Sequence, residues 1–193
     1  MQTSWMWMAV ACGLLHGCAT GDDAPAADEQ PTVLNGRIRL PGTTIDLEPV
    51  SVVRGTTALD LAIVGTSTPI AGTVVTEHSG FAETVQTMAS EIEQSWTFDH
   101  APSGTGDLVI AVSAAGLSFV GTDGVGLIFQ ESDKTGVSYS HGTWIDGAGH
   151  TTSVPATYSG GQIVLRVPAA TLDRSTFPAV LDPKIKPTPP IEP

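Results

Sequence analysis

From Val33 to Leu181 the chain is a succession of short segments rich in Val, Ile, Thr and Leu, each closed by Gly, Pro, Ser or Asp. β-Branched residues suit a pleated surface, and the residues that close the segments interrupt it, so this cadence predicts many short strands. The strand-like segments are VLNGRIRL, TIDLEPVSVV, ALDLAIV, AGTVVTE, DLVIAVSA, GVGLIFQ, VSYSHGTWI, TTSVPATY and QIVLRVP. In the last, Ile163, Leu165 and Val167 alternate with Gln162, Val164 and Arg166. A period of two puts the first three on a buried face. Asp146-Gly147-Ala148-Gly149 and Ser159-Gly160-Gly161 read as tight turns, because glycine accepts the positive φ that hairpins demand. Residues 137–168 are therefore expected to form a three-stranded antiparallel meander. The fold class expected is all-β: an antiparallel two-sheet β-sandwich, jelly-roll-like, over residues 32–185.

Two segments carry a less even pattern. In FAETVQTMASEIEQSWTF, Phe81, Val85, Met88 and Ile92 fall at helical spacing, with Glu83 and Glu91 elsewhere on the wheel. The same stretch alternates as a strand, with Ile92, Gln94, Trp96 and Phe98 opposed to Glu93, Ser95 and Thr97. Strand, turn, strand is the preferred reading. In STFPAVLDPKIKPTPPIEP, Phe177, Ala179 and Leu181 can face the core. Pro178 has no N–H, which places this strand at an edge or points that position away from the ladder; QIVLRVP is a candidate neighbour. Residues 186–193 are expected to be a Pro-rich disordered tail.

Composition bounds the rest. The chain has 193 residues, enough for one domain with a substantial core. Charged residues make up 15% and hydrophobic ones 41%. Charge is thus well below the roughly 25% of an ordinary soluble domain, which excludes a wholly disordered chain. The formal net charge of −12 excludes nucleic acid as a partner, and it excludes adsorption to anionic lipid through a basic face.

Both cysteines, Cys12 and Cys18, lie at the amino terminus, so the body is expected to fold without a disulfide. WMWMAVACGLLHGC is an apolar run of signal-peptide length, shorter than the roughly 20 residues that span a bilayer. ATGDDAPAADEQP follows, small and acidic, and reads as a flexible tether. At the junction, Leu15-His16-Gly17-Cys18 resembles a bacterial lipobox, although His16 is bulky and no Lys or Arg precedes the run. The resemblance implies lipidation of Cys18, cleavage before it and acylation of the new amino terminus. More than one acyl chain is what stable anchoring requires. The resulting division is a signal peptide over 1–17, an acidic tether over 18–31, the sandwich over 32–185 and the tail over 186–193. Ala19, not Asp, follows Cys18, which by the sorting rule of enterobacterial lipoproteins implies the outer membrane. The alternative is an ordinary secretory signal cut after Ala19 and a freely secreted protein.

The chain holds no nucleophile elbow, zincin motif, phosphate loop or EF-hand pattern. GTDGVG, residues 121–126, superficially suggests a dinucleotide loop, but glycine order and context favour a strand turn. His78, His100, His141 and His150 lack the close spacing of a metal motif. Strands could still bring His141 and His150 together near Asp146. Glu91 and Glu93 are two apart and would share a strand face, where carboxylates could serve as acid and base or bind calcium; a solvated face is the preferred reading. Trp96 and Trp144 could stack on glycan; more often such rings fill a core. No catalytic residue, metal or cofactor is expected.

Three stretches, EIEQSWTFDHAPSGTGDLVIAV, WIDGAGHTTSVPATYSGGQIVLRVP and STFPAVLDPKI, carry a second resemblance. Its elements are Glu93, Gln94 and Trp96; Pro102, Gly104, Gly106 and Leu108; Asp146 and Gly149; and Phe177, Pro178, Leu181, Asp182 and Pro183. Together they resemble an amino-terminal β-sandwich module of large secreted bacterial surface proteins that carry FG-GAP or YD/Rhs-type repeats. The resemblance implies a fold and an extracellular setting. The expected function is a lipid-anchored cell-envelope protein displaying a non-catalytic β-sandwich with a structural, adhesive or partner-binding role, the partner a protein or a glycan. The alternative is a secreted or anchored glycan-active hydrolase using Glu91 or Glu93.

Overall fold

The computed structural model describes residues 32–34, 37–39, 46–67, 70, 72–88, 91–130 and 136–188. Cys18, the signal peptide and the tether lie outside the described residues, as do residues 189–193. The strands are β1 (Thr32–Leu34), β2 (Arg37–Arg39), β3 (Asp46–Arg54), β4 (Thr57–Ala58), β5 (Ile63–Thr66), β6 (Thr73–His78), β7 (Phe81–Thr87), β8 (Ile92–Phe98) and β9 (Leu108–Ala115). They continue with β10 (Ser118–Thr122), β11 (Gly126–Gln130), β12 (Gly136–Ser140), β13 (Gly142–Ile145), β14 (Thr151–Val154), β15 (Ala156–Ser159), β16 (Gln162–Val167), β17 (Ala179–Asp182) and β18 (Lys184–Thr188). One short helix, α1, spans Ala169–Leu172.

The protein is an all-β, two-sheet antiparallel sandwich. The first sheet runs β1-β2-β3-β9-β16-β15, with β4 paired to β3. In the second, β5, β6, β7 and β8 pair in sequence. The other side of β8 takes β17 and β18, two pieces of one strand position separated by Pro183. Beyond them lie β13 and β12, separated by His141; β14 pairs with the former and β11 with the latter. Trp96, Phe98, Leu108, Ile110, Phe129, Tyr139, Leu165, Leu181 and Ile185, from both sheets, are fully buried in one core.

The alternation in QIVLRVP holds, with Ile163, Leu165 and Val167 at 0% exposure. FAETVQTMASEIEQSWTF forms two strands, β7 and β8, paired antiparallel. GTDGVG is the β10–β11 turn, where the Asp123 carboxylate accepts from the backbone N–H of Val125 and Gly126 at 2.9 and 3.0 Å. The turn of residues 102–106 is pinned by buried Arg54, which donates to the carbonyls of Pro102 and Gly106 and to Asp173. Only glycine serves at Gly104, where φ is +104° and a Cβ would lie 2.8 Å from the Arg54 carbonyl.

Four expectations are corrected. Residues 137–168 are not one meander: β13 and β14 form a hairpin in the second sheet, β15 and β16 a hairpin in the first. The chain changes sheets at Pro155, which has no N–H to continue a ladder. ALDLAIV is no single strand, because the Asp60 carboxylate captures the Ala62 N–H at 2.9 Å and folds a local turn. β17 is central, between β8 and β13, and does not lie beside β16; Pro178 falls just before it. β18 continues to Thr188, past the expected domain end at 185. Past Ile185 it pairs with β12 alone, so Pro187 has one open side and its missing N–H is tolerated.

Candidate functional site

Glu91, Glu93, Trp96, Trp144, His141 and His150 take structural roles. Glu91 and Glu93 do lie close together, but Lys184 reaches both, at 2.9 and 3.8 Å, and Lys186 reaches Glu91 at 2.8 Å. The lysines hold the Glu91 carboxyl below its ordinary value, the wrong direction for a general acid. Trp96 and Trp144 are 0% and 1% exposed and fill the core, Trp144 donating to Ser175 Oγ at 2.9 Å. They offer no face to a sugar.

His141 and His150 sit at opposite ends of the β13–β14 hairpin, whose four paired positions separate them by roughly 13 Å. His141 Nδ1 accepts from the Ala156 N–H at 3.1 Å and so fastens the corner at which the chain changes sheets. His150 belongs to the Asp146 turn. There the Asp146 carboxylate accepts from the backbone N–H of Ala148, His150 and Thr176, and it pairs with the His150 ring at 3.1 Å. Burial alone would raise this carboxyl, but the hydrogen bonds from His150, Thr176 and Ala148 hold it down at about 2. Among the described residues no group of three or more His, Cys, Asp or Glu is arranged to hold a metal ion.

The polar group that sequence reasoning missed is Glu83. It lies on β7 between Phe81 and Val85, and the period of two sends all three inward; Glu83 is 1% exposed. The signal was in the sequence, a carboxylate in the middle of an apolar stripe once that stripe is read as a strand. Gln94 of β8 donates through Nε2 to Glu83 Oε1 at 2.6 Å, and the Tyr139 hydroxyl of β12 donates to Gln94 Oε1 at 3.1 Å. This chain crosses the second sheet inside the core. Glu83 Oε2 is buried without a hydrogen-bond partner. Burial pushes the Glu83 carboxyl up to about 7, against the opposing hydrogen bond from Gln94. Burial, then the nearby Glu83, raises the Tyr139 phenol well above its ordinary value.

His78 stands beside it. Thr76 pairs with Glu83 and His78 with Phe81 across the β6–β7 hairpin, so these four share one face. The His78 ring stacks on Phe81 with centroids 4.5 Å apart, and Nδ1 lies 2.9 Å from the Leu61 carbonyl. Nε2 is buried without a partner. Glu83 and His78 line a cleft of about 330 Å³ together with Glu48, Pro49, Val50, Leu61 and Ile63. β3 of one sheet and β5 to β7 of the other thus meet around a polar floor with apolar walls.

Compared with protein-family models, curated proteins and solved structures, the chain matches none.

Proposed function

We propose that this chain is a lipid-anchored protein of the bacterial cell envelope, held through Cys18 and presenting a non-catalytic β-sandwich for structural, adhesive or partner-binding work. The observation that carries the reading is Leu15-His16-Gly17-Cys18 at the end of an apolar run, followed by the acidic stretch ATGDDAPAADEQP. A soluble sandwich on such a stretch is a displayed domain. The resemblance to modules of secreted surface proteins supports the extracellular setting. Its residues take fold-making positions here: Gln94 and Trp96 inside β8, Gly104 in the turn before β9, Asp146 in a hairpin, Leu181 inside β17. The hydrolase alternative loses support, since its carboxylates are tied to Lys184 and Lys186 and its tryptophans are interior.

Cys18→Ala tests the anchor. The variant should move from the membrane to the soluble fraction and lose metabolic fatty-acid label. A variant that still sediments with membranes and still carries label would overturn the reading.

A further inference from the structure

We propose that the cleft between β3, β5 and the β6–β7 hairpin binds a small organic ammonium ion. Its N–H groups donate to His78 Nε2 and Glu83 Oε2, and its carbon skeleton lies against Val50, Leu61 and Ile63. The inference goes beyond the anchoring reading and stands independently of it.

A buried polar atom without a partner is destabilising, and native proteins leave few of them. Here two of the five such side-chain atoms among the described residues, His78 Nε2 and Glu83 Oε2, belong to residues lining one cleft. Both are acceptors. The Leu61 carbonyl can only accept, so the His78 ring hydrogen sits on Nδ1, and Nε2 presents a lone pair. At Glu83, Oε1 already receives the Gln94 amide, and the Tyr139 hydroxyl on Gln94 Oε1 fixes which way that amide faces. Oε2 is left without a partner on a residue that lines the cleft. Two unpaired acceptors on residues of one cleft call for a donor with several N–H groups, and an ammonium ion adds the charge that an ionised Glu83 seeks.

Size separates this reading from trapped water. One water takes roughly 30 Å³, whereas the cleft is about 330 Å³, within the range of small-molecule sites. Val50 and Ile63 on its walls are 39% and 43% exposed, apolar surface that a hydrocarbon skeleton would cover. The charge is of the right sign. Among the described residues no Lys or Arg lines the cleft, and the chain carries a net −12. The groups that face the floor are Glu48 from β3, His78 from β6, Gln94 from β8 and Tyr139 from β12. The Glu48 carboxylate is held at 2.7 Å by Arg37, so Glu83 carries the attraction. The Glu83 carboxyl is near half-ionised at neutral pH, so a bound cation should expel part of a proton there.

Calorimetric titration of the full chain at pH 7 tests this with benzylammonium, benzyl alcohol and benzyltrimethylammonium. Benzylammonium should saturate one site, release protons as judged from buffers of different ionisation heat, and bind at least about tenfold tighter than the other two. Glu83→Gln and Val50→Trp should each weaken it about tenfold or more while cooperative melting is kept. The second variant alters a partly exposed wall residue, so it decides the matter if the first does not fold. The proposal falls if benzylammonium shows no saturation up to about 10 mM, where a ligand of this size should register. It falls equally if benzyl alcohol binds as well, or if Val50→Trp leaves affinity unchanged.

Discussion

Asp146 and Glu83 are both withdrawn from water, at 6% and 1% exposure, yet one carboxyl is held at about 2 and the other is pushed to about 7. Exposed area does not separate them; Glu83 lies deep in the core and Asp146 in a turn near the surface, and the number of donors differs as well. Asp146 gathers three backbone N–H groups and an imidazole, all from a hairpin and the segment beside it. Loops have backbone donors to spare. Glu83 sits in mid-sheet, where the ladder has already used the backbone groups, and a single side chain, Gln94, reaches it. In a β-sandwich a buried charge is therefore well kept at a turn and poorly kept inside a strand, unless something else enters to pair with it.

The largest blow to this comparison would strike both regions together. Deleting the chain from Thr176 onward removes the Thr176 N–H on Asp146 at 3.3 Å. It also removes β17 and β18, which cover the side of β8 opposite β7, the strand that carries Glu83. Leu181 and Ile185 are both 0% exposed. Burying each should contribute roughly 1.5–3 kcal/mol, against a total stability of about 5–15 kcal/mol. The truncated chain should aggregate or show no cooperative melting by circular dichroism. An unchanged melting curve would mean that β17 and β18 are not core strands.

A smaller and more selective break is Asp146→Ala. It leaves the N–H groups of Ala148, His150 and Thr176 without the buried acceptor that gathers this otherwise exposed turn. The melting temperature should fall on the order of 10 °C. Asp146→Asn retains one acceptor oxygen and should lose less. If the two variants melt alike, the charge rather than the count of acceptors holds the turn, and the contrast with Glu83 needs a different cause.

How much of this was legible in the chain differs between the two carboxylates. The Asp146 turn was readable because its cause is local: Asp and Gly within four residues specify a hairpin. The strand content was readable for the same reason, and so was the inward stripe of QIVLRVP. What escaped was set by distant partners. The expectation of an edge position for β17 rested on Pro178, but β8 and β13 flank the strand that begins one residue later. The acid-and-base alternative at Glu91 and Glu93 stayed open because Lys184 and Lys186 lie far off in sequence and arrive only through the β8–β18 pairing. Glu83 was hidden by ambiguity of period: on a helix it leaves the apolar stripe of Phe81 and Val85, on a strand it joins them.

The finest test sets the two carboxyls against each other by pH. Asp146 is lowered from 3.8, so its contribution is present above that value and is lost as pH falls toward about 2. Glu83 is raised from 4.5, so the folded state favours the protonated form. Its contribution is present below 4.5 and is lost as pH rises toward about 7. Asp182, raised to about 6 by burial and by Glu93, acts in the same direction as Glu83. Stability should therefore peak near pH 4 to 5, between the two windows, and decline toward neutrality. Glu83→Gln removes the second window while keeping an acceptor for Gln94. At pH 8 it should raise stability by at most about 3 kcal/mol, and at pH 4 it should change little. Denaturant melts at both pH values, with and without saturating benzylammonium, make the measurement sharper. If a cation is the natural partner of Glu83, it should stabilise the parent chain at pH 8 and leave Glu83→Gln unmoved. A parent chain equally stable at pH 4.5 and pH 8 would mean that Glu83 already has its partner inside the fold, and the contrast with Asp146 would dissolve.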